Sequence, residues 1–280
     1  MSIVITTYIP EGIVMAADSR QTAIIEGTMP DGQKMPKFET VTSDNCYKLF
    51  LLEEQNIGVT VFGETILGGT PIEHSVRLFL EEYNDTEDDI LDVVEKMMRY
   101  FSARYSNADT AFHMCGYKVE GKVSVPYVYH CQVSRNEIKR INVKPGTDTV
   151  LYGAMWGGQG DIIARLIQPG MAMNAGPNMP EIINPPILWD AMSVQDAIDF
   201  SEFAVWTTEQ MVRYQARPKN IGGPIDILLI TRAARVGSSA KTSSATATCR
   251  IDPQPATRGL FGRLLMNALA TLQRPCSRPR

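Results

Sequence analysis

The 280-residue chain has no run of 18 or more apolar residues, and its amino end lacks both a basic stretch and a continuous apolar one. The first absence excludes a helical membrane span and the second a secretory leader, so the expected compartment is the cytoplasm and no membrane partner is expected. Cysteine is scarce. The five present, Cys46, Cys115, Cys131, Cys249 and Cys276, are odd in number, far apart and free of any CxxC or CxxH spacing. That pattern argues against a disulfide framework and a structural zinc site, and points to free thiols. The three histidines, His74, His113 and His130, lie in or beside apolar patterns, and neither HExxH nor GxSxG occurs. They read as structural, and no metal or cofactor is expected.

What is present describes a globular body: 44% of residues are hydrophobic and 21% charged, enough to build a sizeable core. The charge is unevenly placed. Of 27 basic and 31 acidic residues, seven and one fall in 236–280, which leaves 20 and 30 in residues 1–235. An acidic body disfavours nucleic acid as a partner, because phosphate binding rests on clustered Lys and Arg. The basic segment opens on low-complexity Val236-Gly237-Ser238-Ser239-Ala240-Lys241-Thr242-Ser243-Ser244, which reads as a linker. Beyond it Phe261, Leu264, Leu265, Ala268, Leu269 and Leu272 are spaced for a short amphipathic helix.

Within residues 1–235 strands and helices come in blocks. Ile3–Ile9 and Gly12–Ala17 read as a hairpin about Pro10-Glu11, and Lys48–Leu52 and Ile57–Phe62 as a second pair. Thr70-Pro71-Ile72-Glu73 has the cap, Pro and Glu of a helix start, and a second helix with an apolar stripe from Ile90 to Phe101 is predicted from about Thr86 to Arg104. Strands at Thr110–Lys118, Ser124–Val133, Glu137–Asn142 and Thr147–Gly153 follow, then helices at about Gly158–Leu166 and Val194–Arg213, and a last strand at Pro224–Ile230. Two β-blocks with helix pairs between them predict two stacked sheets covered by helices on both outer sides.

In that frame, Gly12-Ile13-Val14-Met15-Ala16-Ala17-Asp18-Ser19-Arg20 closely resembles the segment in which proteasome β subunits carry their catalytic Asp. Tyr47-Lys48-Leu49-Phe50 resembles the segment holding the catalytic Lys, and Gly222-Gly223-Pro224-Ile225-Asp226-Ile227-Leu228-Leu229-Ile230 the double glycine and last core strand. Counted back from Asp18, the family's nucleophilic first residue, a Thr, falls on Ser2. The resemblance implies an α+β, four-layer αββα sandwich of the N-terminal-nucleophile hydrolase type over 1–235, with insertions near 26–44 and 169–189. It also implies a peptide or unfolded-protein substrate and a homo-oligomeric ring or helical stack. Among the bacterial branches, HslV and the ancestral β-subunit-like proteins, some members work with an ATP-driven unfoldase.

The chemistry follows from the residue at position 2. A small side chain there permits removal of Met1, which leaves an α-amine and a hydroxyl on one residue. An α-amine titrates near neutrality, so part of it is free to take the hydroxyl proton directly or through water. A Lys48 ammonium would favour the ionised hydroxyl, Asp18 would hold the lysine, and a backbone N–H near Gly63 is the candidate oxyanion donor. Each has a plainer reading: Ser2 as an ordinary second residue, Asp18 and Lys48 as a structural ion pair, Cys46 as core packing or a reactive thiol. The family's supporting groups differ here. Gly153-Ala154-Met155-Trp156-Gly157-Gly158 stands where a Gly-Ser-Gly turn is usual, and of Pro218, Lys219, Asn220 and Ile221 only Asn220 offers comparable support. A non-catalytic subunit of the same fold and a small-molecule amidase of the wider superfamily are the rival classes.

Overall fold

The computed structural model describes residues 2–29, 31–36, 38–83, 88–168 and 185–232, and the backbone of 246–251. Strands β1 (Ile3–Ile9) and β2 (Gly12–Asp18) form the expected hairpin, and every residue in both is buried. Burial on both faces explains why IVITTYI and GIVMAAD read as nearly continuous apolar runs rather than alternating ones. With β12 (Gly153–Gly158), β13 (Ile225–Thr231) and β14 (Thr246–Ile251) they make a five-stranded sheet in the order β12-β1-β2-β13-β14. A second five-stranded sheet runs β11 (Glu137–Arg140), β10 (Val123–Gln132), β9 (Thr110–Glu120), β6 (Ile57–Gly63), β5 (Leu49–Leu52). All pairings are antiparallel.

Three apolar clusters divide the interior. One holds Val4, Met15 and Leu228 of the first sheet with Leu49, Phe62 and Cys115 of the second, so the sheets face each other. Another packs α1 (Ile72–Glu82) and α2 (Ile90–Tyr105) through Val76, Phe79, Val94 and Phe101 on Val59, Phe112 and Met114 of the second sheet. A third packs α3 (Asp161–Ile167) and α4 (Val194–Tyr214) through Ile163, Ala197, Ile198 and Val205 on Ile5, Val14 and Leu229 of the first. Among the described residues no helix is long and apolar enough to cross a membrane.

Local readings shift at several points. The strand predicted at Thr147–Gly153 lies at Gly153–Gly158, because the glycines are pairing residues: Phe62 packs where a Cβ on Gly157 would stand, 2.5 Å away. Helix α1 starts one step later than predicted, with Pro71 as its cap and no side-chain cap bond, since Thr70 and Pro71 form a short strand, β8, against β7 (Ile66–Leu67). Helix α2 is capped by Asp89 with a reciprocal box to Asp92, while the Thr86 start lies outside the described residues. The 26–44 insertion is not simply a loop: β3 (Gln21–Ile25) and β4 (Phe38–Ser43) pair as a two-stranded arm. In the region read as a linker-led tail, β14 pairs with β13 along its length, which completes the edge of the first sheet. The 260–272 helix and most of the 169–189 insertion lie outside the described residues.

Between the sheets, Thr6 Oγ1 meets His113 Nδ1 at 3.1 Å, and His113 is wholly buried with His130 beside it. Burial first, and the neighbouring His130 second, hold the His113 pKa well below the usual histidine value. The unfolded chain takes up this proton near pH 6.5 and the native one does not, so stability is lost as pH falls below that value, by about 1.4 kcal/mol per unit. Denaturant titrations between pH 7 and pH 5 are expected to show this slope, flattened in His113→Gln.

Candidate functional site

The site lies where β1 begins, β2 ends and β5 begins, so it is assembled from strand termini rather than from one motif. Lys48 directly precedes β5 and reaches the last residue of β2, placing its Nζ 2.7 Å from Asp18 Oδ1. The side chains are 2% and 1% exposed. Removing two charges from water costs several kcal/mol each, so such a pair survives only if the remaining lone pairs are also satisfied. They are. Oδ1 also accepts from Ile3 N at 3.0 Å, and Oδ2 accepts from Arg20 N and Gly222 N, each at 3.2 Å. Four donors from four stretches of chain therefore fix the carboxylate.

Ser2, next to Ile3, is buried, and its hydroxyl has no hydrogen-bond partner among the described residues. Its main chain is held by the turn after β12. Gln159 N donates to Ser2 O at 2.8 Å, and Gly158 (φ +78°) passes so close that a Cβ there would lie 1.9 Å from that oxygen. The turn that reaches Ser2 is thus Gly158-Gln159-Gly160, beyond the stretch expected from the sequence to occupy that place, because 153–158 is used up in pairing with β1. Gln159 Oε1 is buried with no partner among the described residues, and so are both amide atoms of Asn220, a residue only 1% exposed. Two unmet amide side chains in the segments flanking Ser2 and Asp18 are uncommon, since buried polar atoms are nearly always paired.

Gly63 ends β6 with φ +92°, and a Cβ there would stand 2.1 Å from the Asp109 carbonyl, which also accepts from Glu64 N at 2.8 Å. That close approach accounts for the glycine independently of any oxyanion role. A small, partly open cleft lies beside Lys48, lined by Gln21, Cys46, Tyr47, Thr65, Pro71, Ile72 and Glu73. Cys46 is half-buried and its thiol donates to Gln21 Oε1 at 2.9 Å, so it forms part of the cleft wall. His113 and His130 lie in the sheet interface, and among the described residues no group of three or more His, Cys, Asp or Glu is placed to hold a metal ion.

Two solved structures share this architecture over nearly the whole chain. One is Anbu from Hyphomicrobium sp. strain MC1, matched at TM-score 0.51 and 14% identity over 96% of this chain and 94% of that one. The other is a Gly-1 mutant of the same protein, at TM-score 0.53 and 14% identity over 97% and 96%. Anbu is a proteasome-β-like N-terminal-nucleophile hydrolase. This chain shares its fold. No protein-family model and no curated relative matches the sequence.

Sequence reasoning brought Ser2, Asp18 and Lys48 forward but gave no role to Arg20, Asp44, Gly158 or Gln159. The signal for Gly158 was the doubled glycine before Gln159, read as a turn rather than as a contact with Ser2. Gly158→Ala is expected to cost about 2 kcal/mol or more in thermal unfolding, through the left-handed backbone and the collision with Ser2 O. Gly146→Ala, also at positive φ (+75°) but with nothing within 4 Å, should cost only about 1 kcal/mol.

Proposed function

We propose that the protein is an N-terminal-nucleophile peptidase that attacks amide bonds through Ser2 once Met1 is removed. The observation that carries this reading is the Asp18–Lys48 pair, buried, with four donors on the carboxylate, whose donor Ile3 directly follows Ser2, a buried hydroxyl with no partner among the described residues. In this reading the freed α-amine takes the Ser2 proton, and Oγ attacks the substrate carbonyl. The Lys48 charge stabilises the alkoxide, and the N–H of Gly63 receives the oxyanion. The amine then protonates the leaving nitrogen, and water releases the ester-linked acyl group by the reverse sequence. Gln159 Oε1 and the Asn220 amide are the acceptors proposed to orient the amine in place of the family's serine and aspartate. The fold is read as a four-layer αββα sandwich. The cleft beside Lys48 receives the side chain preceding the scissile bond, and its Pro71, Ile72 and Thr65 walls favour a small or medium apolar one.

The trimmed chain is expected to begin at Ser2 by intact mass, and a β-lactone should add one equivalent there. Retention of Met1 in the bulk of active protein would falsify the mechanism. Lys48→Met keeps the buried volume and removes the charge. Turnover of short fluorogenic peptides should be lost, while Asp18 keeps its three backbone donors and the fold survives a cost of about 3 kcal/mol.

Assembly is part of the proposal. Phe203, Met211 and Tyr214 lie exposed on α4, and Leu78 and Leu91 on the helices of the other sheet, surfaces that a homo-oligomer of stacked copies would cover. Light scattering at micromolar concentration is expected to give six or more subunits in a ring or helical stack. A monodisperse monomer would favour a small-molecule amidase, which needs no chamber. In the assembled form the substrate is a peptide or unfolded protein, and folded proteins would require an ATP-driven unfoldase. The proposed compartment is the cytoplasm.

A further inference from the structure

The least explained part of the Asp18 cradle is Gly222, whose N–H belongs to an irregular segment, 219–223, rather than to a sheet ladder. Two groups hold that segment. The Arg20 guanidinium donates through Nη1 to the carbonyls of Lys219 (3.0 Å) and Ile221 (3.3 Å). It also forks onto Asp44 through Nε (2.5 Å) and Nη2 (2.9 Å). Arg20 lies so close that a Cβ on Gly222 would meet its Cζ at 2.6 Å, and the Asp44 carbonyl stands 2.4 Å from where a Cβ on Gly223 (φ +78°) would be. Gly223 is thus required by the backbone pressing against it, and a Cβ at Gly222 would push the guanidinium away. Cys46 N donates to Ser19 O and Ser19 N to Gly222 O, at 3.0 and 3.1 Å, which closes the circuit between the foot of the β3–β4 arm and the double glycine.

We infer that Arg20 and Asp44 are positioning residues: together they clamp 219–223 so that Gly222 N–H stays on Asp18 Oδ2, and so set the carboxylate that holds Lys48. The inference rests on the reading of Ser2, Asp18 and Lys48 as the reacting set. A bidentate Arg–carboxylate fork fixes orientation as well as distance, and neither Lys nor a neutral amide reproduces it. Because Asp44 follows β4 directly, the inserted arm is anchored in the same clamp.

Two measurements on the full-length protein separate the cases: amide hydrogen exchange at Gly222, and the kinetics of a short fluorogenic peptide. Asp44→Asn and Arg20→Lys are expected to raise exchange at Gly222 at least about tenfold, while Ile227 and Leu229 in β13 stay protected. They should lower kcat by about ten- to a hundredfold with KM nearly unchanged, because the reacting groups and not the cleft are displaced. Glu95→Gln, which breaks an exposed pair with Arg99 on α2, should change neither. Unchanged exchange at Gly222, or looser exchange with wild-type kcat, overturns the inference. If wild type neither turns over nor is labelled at Ser2, the peptidase reading fails. Exchange at Gly222 then decides by itself whether the pair holds the Asp18 cradle.

Discussion

The structure depends on holding one carboxylate out of water within a full set of donors. Asp18 ends β2 in a place 1% exposed, where an unpaired carboxylate would cost more than a single salt bridge returns. The chain meets that cost with three backbone N–H groups and one ammonium, drawn from the start of β1, the turn after β2, the start of β5 and the segment before β13. None of these donors is local to another. Each lies in or close beside a strand whose register is fixed by burial, since slipping any buried strand by one residue would turn its side chains to the wrong face. The core therefore supports the cradle, and the cradle in turn ties both sheets together at one end.

Glycine marks where the backbone must come close for this to work. Gly158 lets the Ser2 carbonyl approach, Gly63 the Asp109 carbonyl, and Gly222 and Gly223 the Arg20 guanidinium and the Asp44 carbonyl. All four stand at or beside strand ends around the site, whereas Gly69, Gly121 and Gly146 take positive φ in turns with nothing within 4 Å. The first group reports crowding and the second only chain reversal. That distinction is invisible in sequence, where a glycine is a glycine.

It also explains how far the sequence could be read. The long periodic elements, the β1–β2 hairpin, α2 and α4, were legible because burial dictates their patterns. Asp18 and Lys48 were legible because their neighbours resemble a known arrangement. The β3–β4 arm was not, since none of Phe38–Ser43 is fully buried and its pattern carries no core signal. Strand β12 was misplaced because GAMWGG has the composition of a turn, and only its pairing with β1 makes it a strand. Arg20 was passed over for a related reason: its partners, Asp44, Lys219 and Ile221, lie 24 to about 200 positions away and share no pattern with it.

A buried hydroxyl without a partner is weak evidence for a nucleophile on its own, for Thr60 Oγ1 and His113 Nε2 are equally unmet in the sheet interface. An orphaned polar group costs about 1–3 kcal/mol wherever it lies. What separates Ser2 from Thr60 is its surroundings. Thr60 lies in the middle of β6, paired with Leu49 and His113 on the neighbouring strands. Ser2 adjoins Ile3, whose N–H donates to the carboxylate that Lys48 also holds, and its own carbonyl accepts from the N–H of Gln159, whose Oε1 is open among the described residues. A cost tolerated in the core is incidental. The same cost one residue from a buried ion pair, and beside an open acceptor, is one that the proposed role of Ser2 as a nucleophile would use.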